Sequence, residues 1–257
     1  MLDFETYLAP LALTVGVFAT IWPLSVVRSD ASLVDAWWGP GFFAQIVVVL
    51  TLVDQIDNRD LLLAALIGVW SLRLGWVLIR RRLREGHEDP RYISLRDAWD
   101  PGFWWKSFFV VFVLQGVIQW VIALGPIHGV IAGSQPLGSI ALVGALLAMA
   151  GLALETVADR QLDRFKREHP HDALCQTGLR SVMRHPNYLG EIVFWIGIGL
   201  IVSEVSLWAA VLSPLVITLF LTQVSGIPML DERLSASRPG YADYKARVPG
   251  LLPGFKK

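Results

Sequence analysis

The chain has 257 residues, no net formal charge, 54% hydrophobic residues and only 17% charged ones, and its mean hydropathy is +0.52. A soluble domain usually carries about a quarter charged residues, so the composition excludes an ordinary water-soluble protein and indicates a polytopic membrane protein; the 11 tryptophans suit the aromatic belts of a bilayer interface. The single cysteine, Cys175, excludes a disulfide framework and a cysteine metal cluster.

Apolar runs fall near 8–27, 36–53, 61–79, 107–125, 138–157, 189–203 and 205–225, several approaching the roughly 20 residues that span hydrocarbon. They are too long and too little alternating for strands, and unpaired strands cannot cross lipid. The expected fold is therefore an all-α integral membrane protein, a bundle of about seven transmembrane helices forming a single polytopic domain over 1–257. Six spans result if the last two runs, separated only by Glu204, form a re-entrant pair. The first run has no charged leader or A-x-A-like cleavage site, so it reads as a span, not a removed signal peptide.

Arg28, the cluster from Arg80 to Lys106, the cluster from Arg160 to Arg184 and the tail from Arg233 to Lys257 fall on one side of such a bundle. Arg59 falls on the other, with Asp54, Asp57, Asp60 and Glu204. The positive-inside rule then places the N-terminus outside and the C-terminus in the cytoplasm, and the expected location is a bacterial inner membrane.

Three polar segments share the cytoplasmic side: Arg80–Asp100, Asp159–His185 and the tail. The middle one leads into Gly178-Leu-Arg-Ser-Val-Met-Arg-His-Pro-Asn-Tyr-Leu-Gly-Glu191, which sets Arg180, Arg184, His185, Asn187, Tyr188 and Glu191 at the mouth of the sixth span. Charged groups at that depth are costly unless they bind something. Arginine forks suit phosphate or carboxylate, and Asn and Glu suit a ribose or an amide. Glu155 and Asp159, like Asn187 and Glu191, are four apart and share a helix face. They serve either a ligand or an ion-pair lattice with Arg160 and Arg184. Lys166 and Arg167 add positive charge. Neither G-x-G-x-x-G nor a P-loop occurs, so a nucleotide would sit among helices. His169, His171 and His185 have no ligand spacing, and no metal is expected.

Inside the spans, Asp35, Gln45, Arg73, Gln115 and Gln119 stand out. Arg73 wants a carboxylate, and Asp35 is the expected partner, either as a structural pair or to polarise a substrate carbonyl. The glutamines read as interhelical glue more than as substrate contacts. Trp37, Trp38 and Trp76 are expected to line a pocket for a flat lipid.

With these residues in view, the chain resembles the steroid 5-alpha-reductase C-terminal superfamily, and within it the bacterial DUF1295 branch. The carriers are Asp35-Ala-Trp-Trp-Gly39, Glu88-Asp-Pro-Arg-Tyr92, Gly178-Leu-Arg180, Arg184-His-Pro-Asn-Tyr-Leu-Gly-Glu191, Gly226-Ile-Pro228 and Arg238-Pro-Gly-Tyr-x-x-Tyr244. The resemblance implies a seven-helix bundle binding NADPH in its cytoplasmic half and reducing an activated carbon–carbon double bond, as a 3-oxo-5-alpha-steroid 4-dehydrogenase does. It assigns the cofactor to Asn187 and Glu191, to Glu155 (Asn in the reductases) and Asp159, to Lys166, to Arg91 with Tyr92 beside it, and to Glu232, Tyr241 and Tyr244 in the tail. Arg180, Arg184, His185 and Tyr188 join them from the motif itself. Where steroid reductases place a Gln-Glu pair and a Tyr for the enone carbonyl, this chain offers Asp35 and Gln45 in the second span and Arg73 in the third. The expected catalytic residues are Asp35, Arg73 and Tyr92.

The substrate implied is a steroid-like or other lipid; the protein is expected to be monomeric, without a nucleic-acid partner. Isoprenylcysteine carboxyl methyltransferases and phospholipid methyltransferases carry similar Arg-His-Pro-x-Tyr blocks. An S-adenosylmethionine-dependent lipid or prenyl-cysteine methyltransferase is therefore the alternative, and a non-enzymatic lipid-binding protein the third reading.

Overall fold

In the computed structural model, which describes residues 4–133, 136–170 and 172–254, the chain is helical, with no strand among the described residues. Seven stretches are long and apolar enough to cross a membrane: Phe4–Val27, Ala31–Leu52, Asn58–Arg84, Phe103–Ile131, Ser139–Glu168, Pro186–Ser203 and Leu207–Ser237. These are the seven expected from the apolar runs. Three extend well beyond them, Asn58–Arg84, Ser139–Glu168 and Leu207–Ser237, the first two because their polar ends are also good helix sequence. Helix α3 (Asn58–Glu85) opens on a capping box between Asp57 and Asp60 and continues through its arginines to Gly86, whose φ of 68° ends it as a left-handed glycine cap does. Helix α7 (Ser139–Glu168) likewise ends with Lys166 and Arg167 in its last turn.

The chain divides into two units, Met1–Gly138 with Val202–Ala209, and Ser139–Ile201 with Ala210–Lys257. The first holds α1 (Phe4–Val27), a 3-10 turn at Ala31–Val34, α2 (Asp35–Leu52), α3, α4 (Pro90–Trp99) and α5 (Phe103–Ser107). Helix α5 runs through a π-helical stretch, Phe108–Val113, into α6 (Leu114–Ile131). Helix α2 packs against α1, α3 and α6. Its contact with α3 is backbone on backbone: a Cβ on Gly39 would lie 2.6 Å from the Gly75 nitrogen and 2.7 Å from the Ser71 carbonyl oxygen. In lipid, where apolar burial gives no drive between helices, such small-residue contacts hold them together.

The core of this unit also carries polar glue. Thr14, Gln45 and Gln119 are fully buried. Gln45 Nε2 donates to Thr14 Oγ1 at 3.1 Å and to Gln119 Oε1 at 3.0 Å, and Gln119 Nε2 donates to the Trp38 carbonyl at 2.6 Å. This ties α1, α2 and α6 and gives these two glutamines the structural role expected. Trp76, by contrast, is 65% exposed and faces outward, so it does not line a pocket with Trp37 and Trp38. At the end of α3 away from its arginines, buried Arg59 donates Nη2 to Glu204 Oε2 at 2.9 Å and to the Pro136 carbonyl at 3.1 Å.

The second unit contains α7, most of α8 (Pro186–Ser203) and α9 (Leu207–Leu219), a π-helical stretch Phe220–Val224, α10 (Ile227–Ser237) and α11 (Tyr241–Arg247). Helices α7 and α8 also meet on glycine. A Cβ on Gly144 would lie 2.6 Å from the Gly197 oxygen, one on Gly151 2.5 Å from the Gly190 oxygen, and one on Gly190 2.7 Å from the Glu155 nitrogen. The two short tail helices turn at Gly240, φ 77°, and bury Tyr241, Tyr244 and Val248 against Leu174 and Leu234.

Candidate functional site

Each unit carries a buried polar network that includes residues expected at the site. In the first, Asp89 caps α4, accepting from the Arg91 backbone N–H at 3.0 Å, and Pro90 takes the first helical position, where its missing N–H costs nothing. Arg91 and Tyr92 are thereby fixed in the first turn. Tyr92 packs among Phe18, Val34, Phe103 and Phe112. Its hydroxyl donates to Asp35 Oδ1 at 2.7 Å and accepts from Gln115 Nε2 at 2.9 Å. The Arg91 fork spans two carboxylates, with Nη2 on Asp35 Oδ2 at 2.9 Å and Nε on Asp89 Oδ1 at 3.0 Å. Arg81 reaches Asp89 Oδ2 at 3.2 Å.

A further layer supports this one. The Asp89 N–H donates to Ser32 Oγ at 3.1 Å, and Ser32 Oγ donates to Asp30 Oδ1 at 2.5 Å. Arg82 binds both Asp30 and Ser32. Glu88 accepts from the Ala31 N–H at 2.6 Å and from Arg96 at 2.9 Å.

Burial first, and the Asp35 carboxylate next, push the Tyr92 phenol well above its ordinary value, so it keeps its proton. Burial would raise the Asp89 carboxyl, but the Arg91 hydrogen bond and charge hold it below the usual range. Burial alone would weaken the Arg91 cation; the Asp35 charge outweighs that and raises it. Asp35 pairs with Arg91 and Tyr92 in place of the Arg73 expected from sequence. The Asp89 cap delivers a guanidinium from α4 directly to that carboxylate, while Arg73 lies half-buried on α3. Sequence reasoning missed Asp30, Ser32 and Asp89, and read Gln115 as interhelical glue more than as a substrate contact. The one available signal was Asp89-Pro90, a helix-start pair.

In the second unit the network centres on Asp231 of α10, 4% exposed. Its carboxylate accepts from Arg184 Nη1 at 2.8 Å, His185 Nε2 at 2.9 Å, Lys245 Nζ at 3.1 Å and the Tyr241 hydroxyl. Two backbone bonds fasten the tail to the same loop: Arg184 N–H to the Pro249 carbonyl and His185 N–H to the Gly250 carbonyl, both 2.9 Å. Arg180 donates to the Ala158 carbonyl at 3.0 Å, and the Tyr244 hydroxyl to the Arg180 carbonyl at 2.5 Å. The His185 ring stacks on Tyr188, with centroids 5.6 Å apart.

Burial lowers the His185 imidazole to about 4 despite the Asp231 charge. The ring is therefore neutral and carries its proton on Nε2, facing Asp231. Burial raises the Tyr244 phenol to about 12 and, with the Asp231 hydrogen bond, lifts Tyr241 too. It lowers Arg180, with neighbouring acidic groups opposing.

Of the other expected residues, Glu155 and Glu191 are buried; Asp159, Asn187 and Tyr188 are half-buried; and Lys166 and Glu232 are exposed. The glycine contact between α7 and α8 sets the Gly190–Glu191 backbone against that of Glu155. His169 stacks on Phe165, and His171 lies outside the described residues. Asp231 was not singled out from sequence, since one aspartate in a polar tail has no distinguishing spacing.

The buried Nε of Arg184 has no hydrogen-bond partner among the described residues. A buried donor left so is costly, and the natural partner is an acceptor oxygen of a phosphate or carboxylate. The donor set thus fits an anionic group.

The family model described as "Protein of unknown function (DUF1295)" matches residues 21–248, and the chain belongs to that family. It is also similar to a Schizosaccharomyces pombe (strain 972 / ATCC 24843) protein named "Uncharacterized protein C594.04c". The two are 26% identical over 264 residues, covering 91% of this chain and 75% of the yeast protein. No solved structure matches.

Proposed function

We propose that this DUF1295 member is a membrane reductase that uses NADPH to saturate an activated carbon–carbon double bond of a steroid-like or other lipid. The observation that carries the reading is the Tyr92–Asp35 hydrogen bond, 2.7 Å long and held by Gln115 and Arg91. It is a protonated phenol oriented by a carboxylate, the combination needed at a carbonyl oxygen that gains negative charge. When bound, NADPH supplies the hydride for the β carbon of the enone. For that step the Tyr92 hydroxyl turns its single proton from Asp35 to the substrate oxygen as the enolate develops, while Arg91 keeps the Asp35 charge paired; this is stabilisation of the oxyanion type, and the α carbon then takes a proton from solvent. Asp35 and Arg91 keep the phenol oriented; Arg73 is proposed as a further donor on its sequence position alone.

The nucleotide is assigned to residues of the second unit. Arg180 and Arg184 take phosphate oxygens, with Lys166 as a further point charge, and Asn187, Glu191, Glu155 and Asp159 take ribose and carboxamide groups. His185, Tyr188, Tyr241, Tyr244 and Glu232 are assigned to the loop and tail around them. The same reading gives a cytoplasmic C-terminus and a bacterial inner membrane.

A second reading has its own observation. Glu155 and Glu191 are buried carboxylates at the glycine contact of α7 and α8, which suits a cationic sulfonium and so methyl transfer from S-adenosylmethionine. Thermal shift of the purified protein with NADPH, NADH and S-adenosylmethionine separates the two. Stabilisation by NADPH, lost in Asn187→Ala and Glu191→Ala, supports the reductase. A shift with S-adenosylmethionine alone reassigns the residues to methyl transfer. Unchanged NADPH affinity in both variants removes the assignment.

A further inference from the structure

We propose that a pocket beside the C-terminal end of α1 binds the phosphodiester headgroup of an anionic phospholipid. The pocket measures about 120 Å³ and is lined by Ser25, Ser29, Arg96, Phe103, Trp104 and Ser107, among others. One buried water needs only ~10–15 Å³ by such a measure, so a phosphate group fits. The pocket borders the outer layer of the first network, since Ala31 and Arg96 share Glu88, but none of the residues proposed for catalysis or nucleotide binding lines it.

Its height in the membrane follows from the spans. One ends at Val27 and another begins at Phe103, so the pocket lies where headgroups lie. Trp22 Nε1 ties two of its lining residues together, donating to the Trp104 carbonyl at 3.0 Å and to Ser107 Oγ at 3.2 Å. Trp104 and Trp105 are 59% and 47% exposed, as interfacial anchors are.

Its chemistry is that of an anion site. Arg96 lies 4.7 Å over the Phe103 ring and donates only Nη2, to Glu88. Its Nε and Nη1 are left as donors among the described residues. Ser25 and Ser107 spend their protons on the carbonyls of Trp22 and Trp104, so the guanidinium is the pocket's principal donor. Arg28, exposed and adjacent to Ser29, and Lys106, adjacent to Ser107, add positive charge. The flanking surface is apolar: Val27 is 82% exposed and Leu24 45%. An acyl chain covers these residues, whereas a free phosphate leaves them bare. This selects a lipid as the occupant.

The test is native mass spectrometry of the full chain with phosphatidylglycerol or phosphatidylcholine. It is paired with tryptophan quenching by phosphatidylglycerol brominated in its acyl chains. The wild type should retain one phosphatidylglycerol in preference to phosphatidylcholine. Arg28→Gln with Arg96→Gln should weaken that binding at least about tenfold, as loss of a charge-assisted hydrogen bond does. Arg28→Gln alone, at an exposed position, should weaken it in the same direction without touching the fold. Trp104→Phe should remove a distinct part of the quenching. Equal retention of the two lipids, or unchanged binding in the double variant, overturns the proposal. Displacement of the lipid by equimolar inorganic phosphate or glycerophosphoglycerol also overturns it, because the site would then be one for soluble anions.

Discussion

Asp231→Asn tests whether one carboxylate holds the tail to the Arg184–His185 loop. The substitution keeps the shape and removes the charge. Asp231 is 4% exposed and serves four donors. An amide can still accept from Arg184 and Lys245 on its oxygen, but its NH₂ then faces Tyr241 and His185. The phenol can turn to accept, and the imidazole must move its proton to Nδ1. That adaptation is available, so the cost falls at the low end of the ~3–5 kcal/mol for breaking a buried charge pair. Lys245, 47% exposed, adds little.

A loss of about 3 kcal/mol, at roughly 2–4 °C per kcal/mol for a chain of this size, lowers Tm by roughly 6–12 °C. Intrinsic tryptophan fluorescence on heating in detergent measures it. Limited trypsinolysis at Arg233, Lys245 and Arg247 reports whether the tail is released. A Tm within about 2 °C of wild type, with an equally protected tail, refutes the reasoning.

Acid should loosen the same loop. The buried His185 sits at about 4 against an ordinary 6.5, so as pH falls the unfolded chain takes the proton first. The stability at stake is full above about pH 6.5 and lost as pH falls from there through about 4, worth about 3 kcal/mol. His185→Asn should flatten that part of the pH–Tm curve. Tyr92→Phe should leave NADPH binding intact and lower turnover about 100-fold or more, the range of general acid catalysis; turnover within a few-fold of wild type would exclude Tyr92 as the acid. Gly151→Val, whose Cβ would meet the Gly190 oxygen at 2.5 Å, should destabilise by ~1–3 kcal/mol. Gly16→Ala, which meets nothing within 4 Å, should be neutral or stabilising by up to ~1 kcal/mol, and parallel melts compare the two. Arg59→Leu should cost ~3–5 kcal/mol by removing the guanidinium that Glu204 accepts from, and Arg59→Leu with Glu204→Leu should recover much of it; a double-mutant cycle of melts measures this.

The spans were legible because hydrocarbon imposes a length and forbids charge, so the apolar runs alone locate Phe4–Val27 through Leu207–Ser237. Their polar ends were less so. The helical signal of Arg80–Arg84 and Arg160–Arg167 is propensity without hydrophobic contrast, and both helices outran their apolar windows. Helices α4, α10 and α11 stood within segments read only as polar, since ten residues or so of mixed composition carry no clear period. The site was legible residue by residue but not as contacts. Asp35 and Tyr92 were each singled out, yet 57 positions separate them, and the nearer Arg73 seemed the better partner. A carboxylate's partner is chosen by the cap that aims the cation, here Asp89, and pattern reading does not see that. Asp231 escaped for the converse reason: its importance lies entirely in what converges on it.

The glycine contact of α7 and α8 limits how the Glu155 and Gly190–Glu191 region can respond to a ligand. Side chains at a helix crossing act as shock absorbers, because a rotamer change lets one helix shift while its neighbour stays. At Gly144, Gly151, Gly190 and Gly197 there is nothing to absorb with. Displacing the first two turns of α8, which carry Asn187 and Glu191, therefore drags α7 at Glu155 along with them. These carboxylates and the amide are calibrated together, and a ligand that draws on them meets a fixed gauge. Under the proposed assignment, discrimination among ligands at this place rests on their dimensions.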